Sequence, residues 1–261
     1  MSMYRIYGII LRYLYLIRHS FDRFMDIFYW VIIDIILWGF TSLFFRQAFE
    51  GDPNFTTNLL GGLILWYVVW RTQYEISVNL LEEVWNKNLI NIFASPISIV
   101  EWIAAFMING FIKVLLMLGI AVTVAYFLYD VNFFAYGPYL LLFIPLLMMS
   151  GWVVGFIISC FILRFGSKLQ NLAWSFPYLV NPFSAIFYPL TILPLFAQNI
   201  AHFIPTSYVF ESARSLINTG VVDPMMLWKS LGLNILYLII AIISMRLSFK
   251  KVLERGLVKL Y

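Results

Sequence analysis

At 261 residues, 62% of them hydrophobic and only 11% charged, this chain is not composed like a soluble domain, where about a quarter of residues carry charge. The length accommodates roughly six membrane spans of ~20 residues and no separate soluble domain. The net charge of +4 clusters beside the apolar runs, where it sets membrane orientation and does not mark a nucleic-acid binder.

The first element, Met3 to Arg23, carries a polar stripe at Arg5, Gly8, Arg12, Tyr15, His19, Asp22 and Arg23. Its other face is Ile6, Ile9, Ile10, Tyr13, Leu14 and Ile17. Residues 1–26 are therefore expected to form an amphipathic interfacial helix, with its arginines toward anionic headgroups or a partner; the alternative is a first true span, in which two internal arginines would be costly. Arg5 and Arg12 interrupt the apolar core that a cleavable signal needs, so none is expected.

The first span is expected at about Ile27 to Phe45, followed by a polar loop containing Gly51-Asp52-Pro53. The second is expected at about Leu59 to Val78. Next comes a connector, residues 79–98, whose apolar positions Leu81, Val84, Trp85, Leu89, Ile92 and Phe93 follow helical spacing. Its other face carries Glu82, Glu83, Asn86, Lys87 and Asn91. The spacing predicts an amphipathic helix lying at the membrane surface. Ser95-Pro96 ends it, and Ser98 with Glu101 forms a capping box for the next helix.

The third and fourth spans are expected at about Ile99 to Leu128 and Tyr139 to Leu163, joined by a short turn. The fifth, about Leu172 to Leu193, is interrupted by Pro177, Pro182 and Pro189. Broken helices are tolerated at membrane depth only against protein or a water-filled cavity. Residues 194–224, apolar but punctuated by proline, are read as short re-entrant helices, with Glu211 and Arg214 paired on one face. The sixth span, about Met225 to Met245, precedes a basic tail. The expected fold is thus all-α: one polytopic domain with six transmembrane helices, an interfacial N-terminal helix and short outer helices before the last span.

Twelve basic residues flank one side of these spans and three, Arg46, Arg214 and Lys229, flank the other. The positive-inside rule then places both termini and the connector in the cytoplasm, and residues 194–224 outside.

Catalytic patterns are missing from the sequence. There is no G-x-x-x-x-G-K-[ST] loop for nucleotide phosphates, no His pair or Cys cluster for a metal, and no G-x-S-x-G nucleophile. Cys160 is the single cysteine, so no intrachain disulfide forms. The chain is not expected to be an enzyme. Asp34, Arg71, Glu75 and Lys113 lie inside spans, where ionisable groups normally face protein or water. Arg71 and Glu75 share a helix face, and ~1.5 Å of rise per residue puts Asp34 and Arg71 at a similar depth of roughly 10 Å. An Asp34–Arg71–Glu75 cluster between the first two spans is expected, either locking them together or lining a substrate path. Trp30, Trp38, Trp66, Tyr67, Trp70, Tyr74, Trp102 and Trp152 either form a stacking corridor or an interfacial belt. Gly61-Gly62 and Gly151-x-x-x-Gly155 suit close helix approach.

Taken together, the amphipathic start, the connector ending in "ASPIS", the "YPLTILP" close of the fifth span and the outer "IPTSYVFESARSLINTG" segment resemble the membrane subunit of ABC-2-type export transporters. The likeness runs over essentially the whole chain. One difference is Asn86-Lys87-Asn88, where many relatives have a basic residue and a glycine. The resemblance implies that the connector is a coupling helix docking on an ATPase subunit through Glu82, Glu83, Trp85, Asn86, Lys87, Leu89, Asn91 and Ile92. It implies an ABC ATPase partner that holds the ATP and Mg, a second permease copy, and no cofactor in this chain. It also implies export of a drug, lipid-like or glycan substrate across a prokaryotic plasma membrane. The alternative from another class is a membrane scaffold or assembly protein that transports nothing.

Overall fold

The computed structural model describes residues 2–48 and 54–255. Gly51-Asp52-Pro53, the tail with Lys259, and the side chains of Phe93, Leu253 and Arg255 lie outside what is described. Among the described residues every regular element is helical: α1 Met3–His19, α2 Phe21–Ala48, α3 Phe55–Trp85, α4 Leu89–Ala94, α5 Ile99–Tyr129, α6 Leu140–Phe165, α7 Leu172–Val180, α8 Leu195–Ala201, α9 Pro205–Thr219 and α10 Pro224–Arg255. Helix starts follow local chemistry. The Ser98 Oγ accepts from the Glu101 N–H at 3.2 Å, and the Glu101 carboxylate accepts from the Ser98 N–H at 2.9 Å, completing the capping box of α5. Pro205 opens α9, where its missing N–H costs nothing.

Among the described residues, four helical segments are long and apolar enough to cross a membrane: Phe21–Ala48, Ile99–Tyr129, Phe133–Leu169 and Pro224–Val252. They coincide with the first, third, fourth and sixth expected spans. The second is also a single helix of 31 residues, α3, but polar residues break its apolar run. Those residues, Arg71, Thr72, Gln73, Glu75, Ser77 and Asn79, are all buried. The fifth expected span is not one helix. The α7 helix stops at Val180, short 3-10 turns follow at Asn181–Phe183 and Leu190–Ile192, and Ala185 between them adopts a left-handed φ of 58°. Pro182 and Pro189 remove the N–H groups a continuing helix would need.

Helix α3 is the centre of the bundle, packed against α6, α5 and α2. Glycine makes the α3–α6 approach possible. A Cβ at Gly151 would stand 1.9 Å from the Thr72 hydroxyl and 2.6 Å from the Val69 carbonyl, and one at Gly155 would stand 3.0 Å from the Gln73 carbonyl. Because backbone atoms cannot step aside, Gly151→Ala is expected to destabilise the bundle by about 1–3 kcal/mol. Thermal unfolding in detergent would read this as a lower midpoint than that of a Gly119→Ala control, where nothing lies within 4 Å.

Two apolar clusters divide the bundle along its length. One joins α1, the end of α3, α4, the start of α5 and the end of α10. The other joins the middle of α2, the start of α3, the turn after α5, and α9. The segments with the basic flanks thus gather at one end. Asn58 hydrogen-bonds Asn218 at 2.7 Å at the other end.

Candidate functional site

The ion cluster forms around Arg71 and Glu75, with a different acidic partner from the one expected. Arg71 pairs with Asp26 of α2 at 3.0 Å and with Glu75 at 3.2 Å, and Lys113 of α5 closes on the same Glu75 oxygen. Asp34 is not in the network; it accepts the Tyr67 hydroxyl at 2.5 Å. The correction has a simple cause. Helix α2 begins at Phe21, six residues before the expected span, which brings Asp26 within the helix and opposite Arg71. In antiparallel packing, residues early in α2 meet residues late in α3, so Asp34 falls to Tyr67, one turn before Arg71. Lys113 had a legible signal in the sequence, because a buried ammonium needs a counterion.

Beside the cluster lies a cavity of about 490 Å³ between α2, α3, α5, α7 and the bend after α7. Its size is within the usual range for small-molecule sites. Trp30, Trp38, Trp66, Tyr67, Trp70 and Tyr74 all line it, as the corridor reading expects of these six. Trp102 and Trp152 do not: Trp102 packs on Phe106 beneath α1, and Trp152 sits on the α6 side. The α7 wall adds Trp174 and Tyr178, with Tyr178 against Trp70 at 5.1 Å. At one end Trp38 stacks on Phe187, ring centroids 4.9 Å apart, so part of the broken fifth segment closes the cavity. Asp26, Asp34 and Arg71 are its ionisable lining.

The connector is not the single helix that its periodicity predicts. Helix α3 runs on through Trp85, the chain turns at Asn86 and Lys87 with Lys87 at φ 53°, and α4 has only six residues. The apolar positions Leu81 and Val84 continue the buried face of α3. Asn86-Lys87-Asn88 favours a turn, since short polar side chains bond nearby backbone and break helices.

This geometry divides the eight expected docking residues. Glu83 is buried, paired with Arg12 at 2.9 Å, and accepts from Tyr13 and from Asn88 at 2.6 Å. Burial pushes the Tyr13 phenol well up, and the Glu83 carboxylate adds to the shift, so Tyr13 remains a donor. Glu82 pairs with Arg23 at 2.8 Å, while Leu89 and Ile92 are buried. Trp85, Asn86, Lys87 and Asn91 are exposed, with Ile90 beside them. The two glutamates therefore tie the connector to α1 and α2, and the open tip is the Trp85–Asn91 turn. Helix α1 holds the far side too: Arg5 lies 3.7 Å from Glu101 and donates to the Pro96 carbonyl. Trp85 also reaches toward the cavity. Its indole donates to Gln170 at 3.1 Å and stacks on Trp174, centroids 6.2 Å apart.

The expected Glu211–Arg214 pair is present at 2.8 Å, and it supports the broken fifth segment. Arg214 donates to the carbonyls of Ala185 at 2.7 Å and Ile186 at 3.2 Å, and Glu211 accepts the Leu190 N–H at 2.8 Å. Burial pulls the Arg214 guanidinium down and Glu211 opposes that pull. Irregular backbone thus finds its partners inside the protein. Replacing Arg214 with methionine leaves two carbonyls without their donor and Glu211 with the Leu190 N–H but no cation. A stability loss of about 2 kcal/mol is expected, with earlier proteolytic cutting near Ala185 as the readout.

Compared with known proteins, the chain is matched by no family model and by no curated protein.

Proposed function

We propose that this chain is the permease subunit of an ATP-driven exporter of the ABC-2 type, moving an amphiphilic, lipid-like, drug or glycan substrate out of the cytoplasm or inner leaflet. The observation that carries the reading is that one rigid helix joins two features. Helix α3 walls the aromatic cavity along Leu63–Tyr74 and ends in the exposed Trp85–Lys87 turn. Trp85 then touches Trp174 of the opposite cavity wall. A push on the tip would reach both walls, which is the mechanical arrangement a coupled permease needs.

The sequence offers no nucleotide loop, so the push is assigned to a separate ABC ATPase that holds ATP and Mg. Its docking surface is Trp85, Asn86, Lys87 and Asn91. A second permease copy completes the path, and the exposed apolar face of α2, with Leu37, Phe40 and Phe44, would meet that copy or lipid. The basic flanks support a reading with both termini in the cytoplasm, and the proposed exporter type with the plasma membrane of a prokaryote.

Co-purification tests this directly. The chain expressed with a candidate ABC ATPase from the same genome is expected to elute as a stable complex whose ATP hydrolysis it stimulates. A chain that purifies free of any ATPase under these conditions contradicts the reading.

A further inference from the structure

We infer that the aromatic cavity takes a lipophilic cation, seated on the carboxylate of Asp34 between the rings of Trp30 and Trp38. This names a substrate class for the cavity proposed above as the path, and rests on that reading. The charge balance is the first observation. Three carboxylates, Asp26, Glu75 and Asp34, stand in and behind the cavity against two cations, Arg71 and Lys113. Both cations are held by Asp26 and Glu75. Among the described residues no Lys or Arg pairs with Asp34, whose hydrogen-bond donor is the neutral Tyr67 hydroxyl. The cavity therefore keeps one uncompensated negative charge, and a carboxylate with one donor has further acceptor sites to fill.

Ring placement adds a second, independent observation. Trp30, Asp34 and Trp38 are spaced i−4, i and i+4 on α2, so they form one stripe, and all three line the cavity. Tyr67 faces the stripe from α3. Aromatic faces carry the negative end of the ring quadrupole and attract cations, more strongly where water is excluded. A carboxylate flanked by two indoles and a phenol offers a cation charge and aromatic surface at once. An anion would be repelled by the same groups, and a neutral glycan would stack on the rings but gain nothing from the charge. Arg71, one turn along α3 from Tyr67, is already paired with Asp26 and Glu75, which offset its charge toward a cation at Asp34.

Two probes of matched shape and opposite charge provide the test. Tetraphenylphosphonium and tetraphenylborate are titrated against the full chain in nanodiscs of zwitterionic lipid, with empty nanodiscs subtracted. Saturable binding of the phosphonium is expected, at least about tenfold tighter than the borate. Asp34→Asn is expected to weaken phosphonium binding by about tenfold or more, and Asp34→Glu to retain it within about threefold. Equal binding of the two probes, absent phosphonium saturation, or an Asp34→Asn chain that binds like the parent overturns the inference. If Asp34→Asn does not fold, the charge preference of the parent chain decides alone. Because no ATPase is present, loss of the ATPase complex would refute the transport reading without touching this result, and the reverse holds too.

Discussion

Replacing Glu75 with leucine is expected to destabilise the bundle by about 3–5 kcal/mol, more than any other single substitution proposed for this chain. Glu75 is fully buried and accepts from Arg71, Lys113 and, at 2.8 Å, Asn79. Without it Arg71 still has Asp26, but the buried Lys113 ammonium has lost its carboxylate. Lys113→Met should cost less, because Glu75 remains paired with Arg71. The double variant Glu75→Leu, Lys113→Met removes one charge of each sign and leaves the Arg71–Asp26 pair intact. It should therefore be more stable than Glu75→Leu alone, with a coupling of about 2 kcal/mol. A double-mutant cycle on unfolding in detergent measures it. Additive losses would mean that Lys113 does not depend on Glu75, and that the two do not form one cluster.

The second large effect concerns the exposed turn. Lys87→Glu with Asn91→Ala reverses one charge and shortens one polar side chain on a surface that makes little contact within the chain. Folding should be unchanged, whereas affinity for the proposed ATPase partner should fall by about tenfold or more, since a like-charged or unpaired contact at an interface costs several kcal/mol. Glu83→Gln is expected to behave in the opposite way. Its carboxylate holds Arg12, Tyr13 and Asn88, so the loss should appear as lower stability and a loosened α1. Thermal unfolding and ATPase retention, measured on both variants, separate the two roles. A Glu83→Gln chain that folds normally yet loses the ATPase would return docking to the buried face.

What is legible in the sequence, and what is not, has physical causes. Long apolar runs are visible because their signal is an average over ~20 residues, and α2, α5, α6 and α10 all carry it. The capping box and the Glu211–Arg214 pair are visible because each is local, three residues apart. Six of the eight aromatics meet in the cavity, as the corridor alternative has it, since spacing on α2 and α3 puts them on shared faces. Register between helices is not visible. A six-residue error in the start of α2 exchanges Asp26 for Asp34, and no local pattern marks which turn of one helix meets which turn of another. The connector misleads for a related reason. Periodicity carries through Leu81 and Val84 because α3 itself carries on, and only the turn-forming Asn86-Lys87-Asn88 marks where it stops. The prolines of the fifth segment signal a broken span, but they do not reveal that Arg214 and Glu211 supply the missing hydrogen-bond partners.

The most direct test of the proposed coupling role of α3 is ATP-driven uptake into inside-out vesicles that contain this chain and the proposed ATPase partner. A panel of cationic, neutral and anionic amphiphiles serves as cargo. If α3 couples the two, at least one cargo enters in an ATP-dependent way, and Lys87→Glu with Asn91→Ala abolishes that uptake. Uptake that persists at the parent rate in that variant, or that needs no ATPase, would contradict the coupling role.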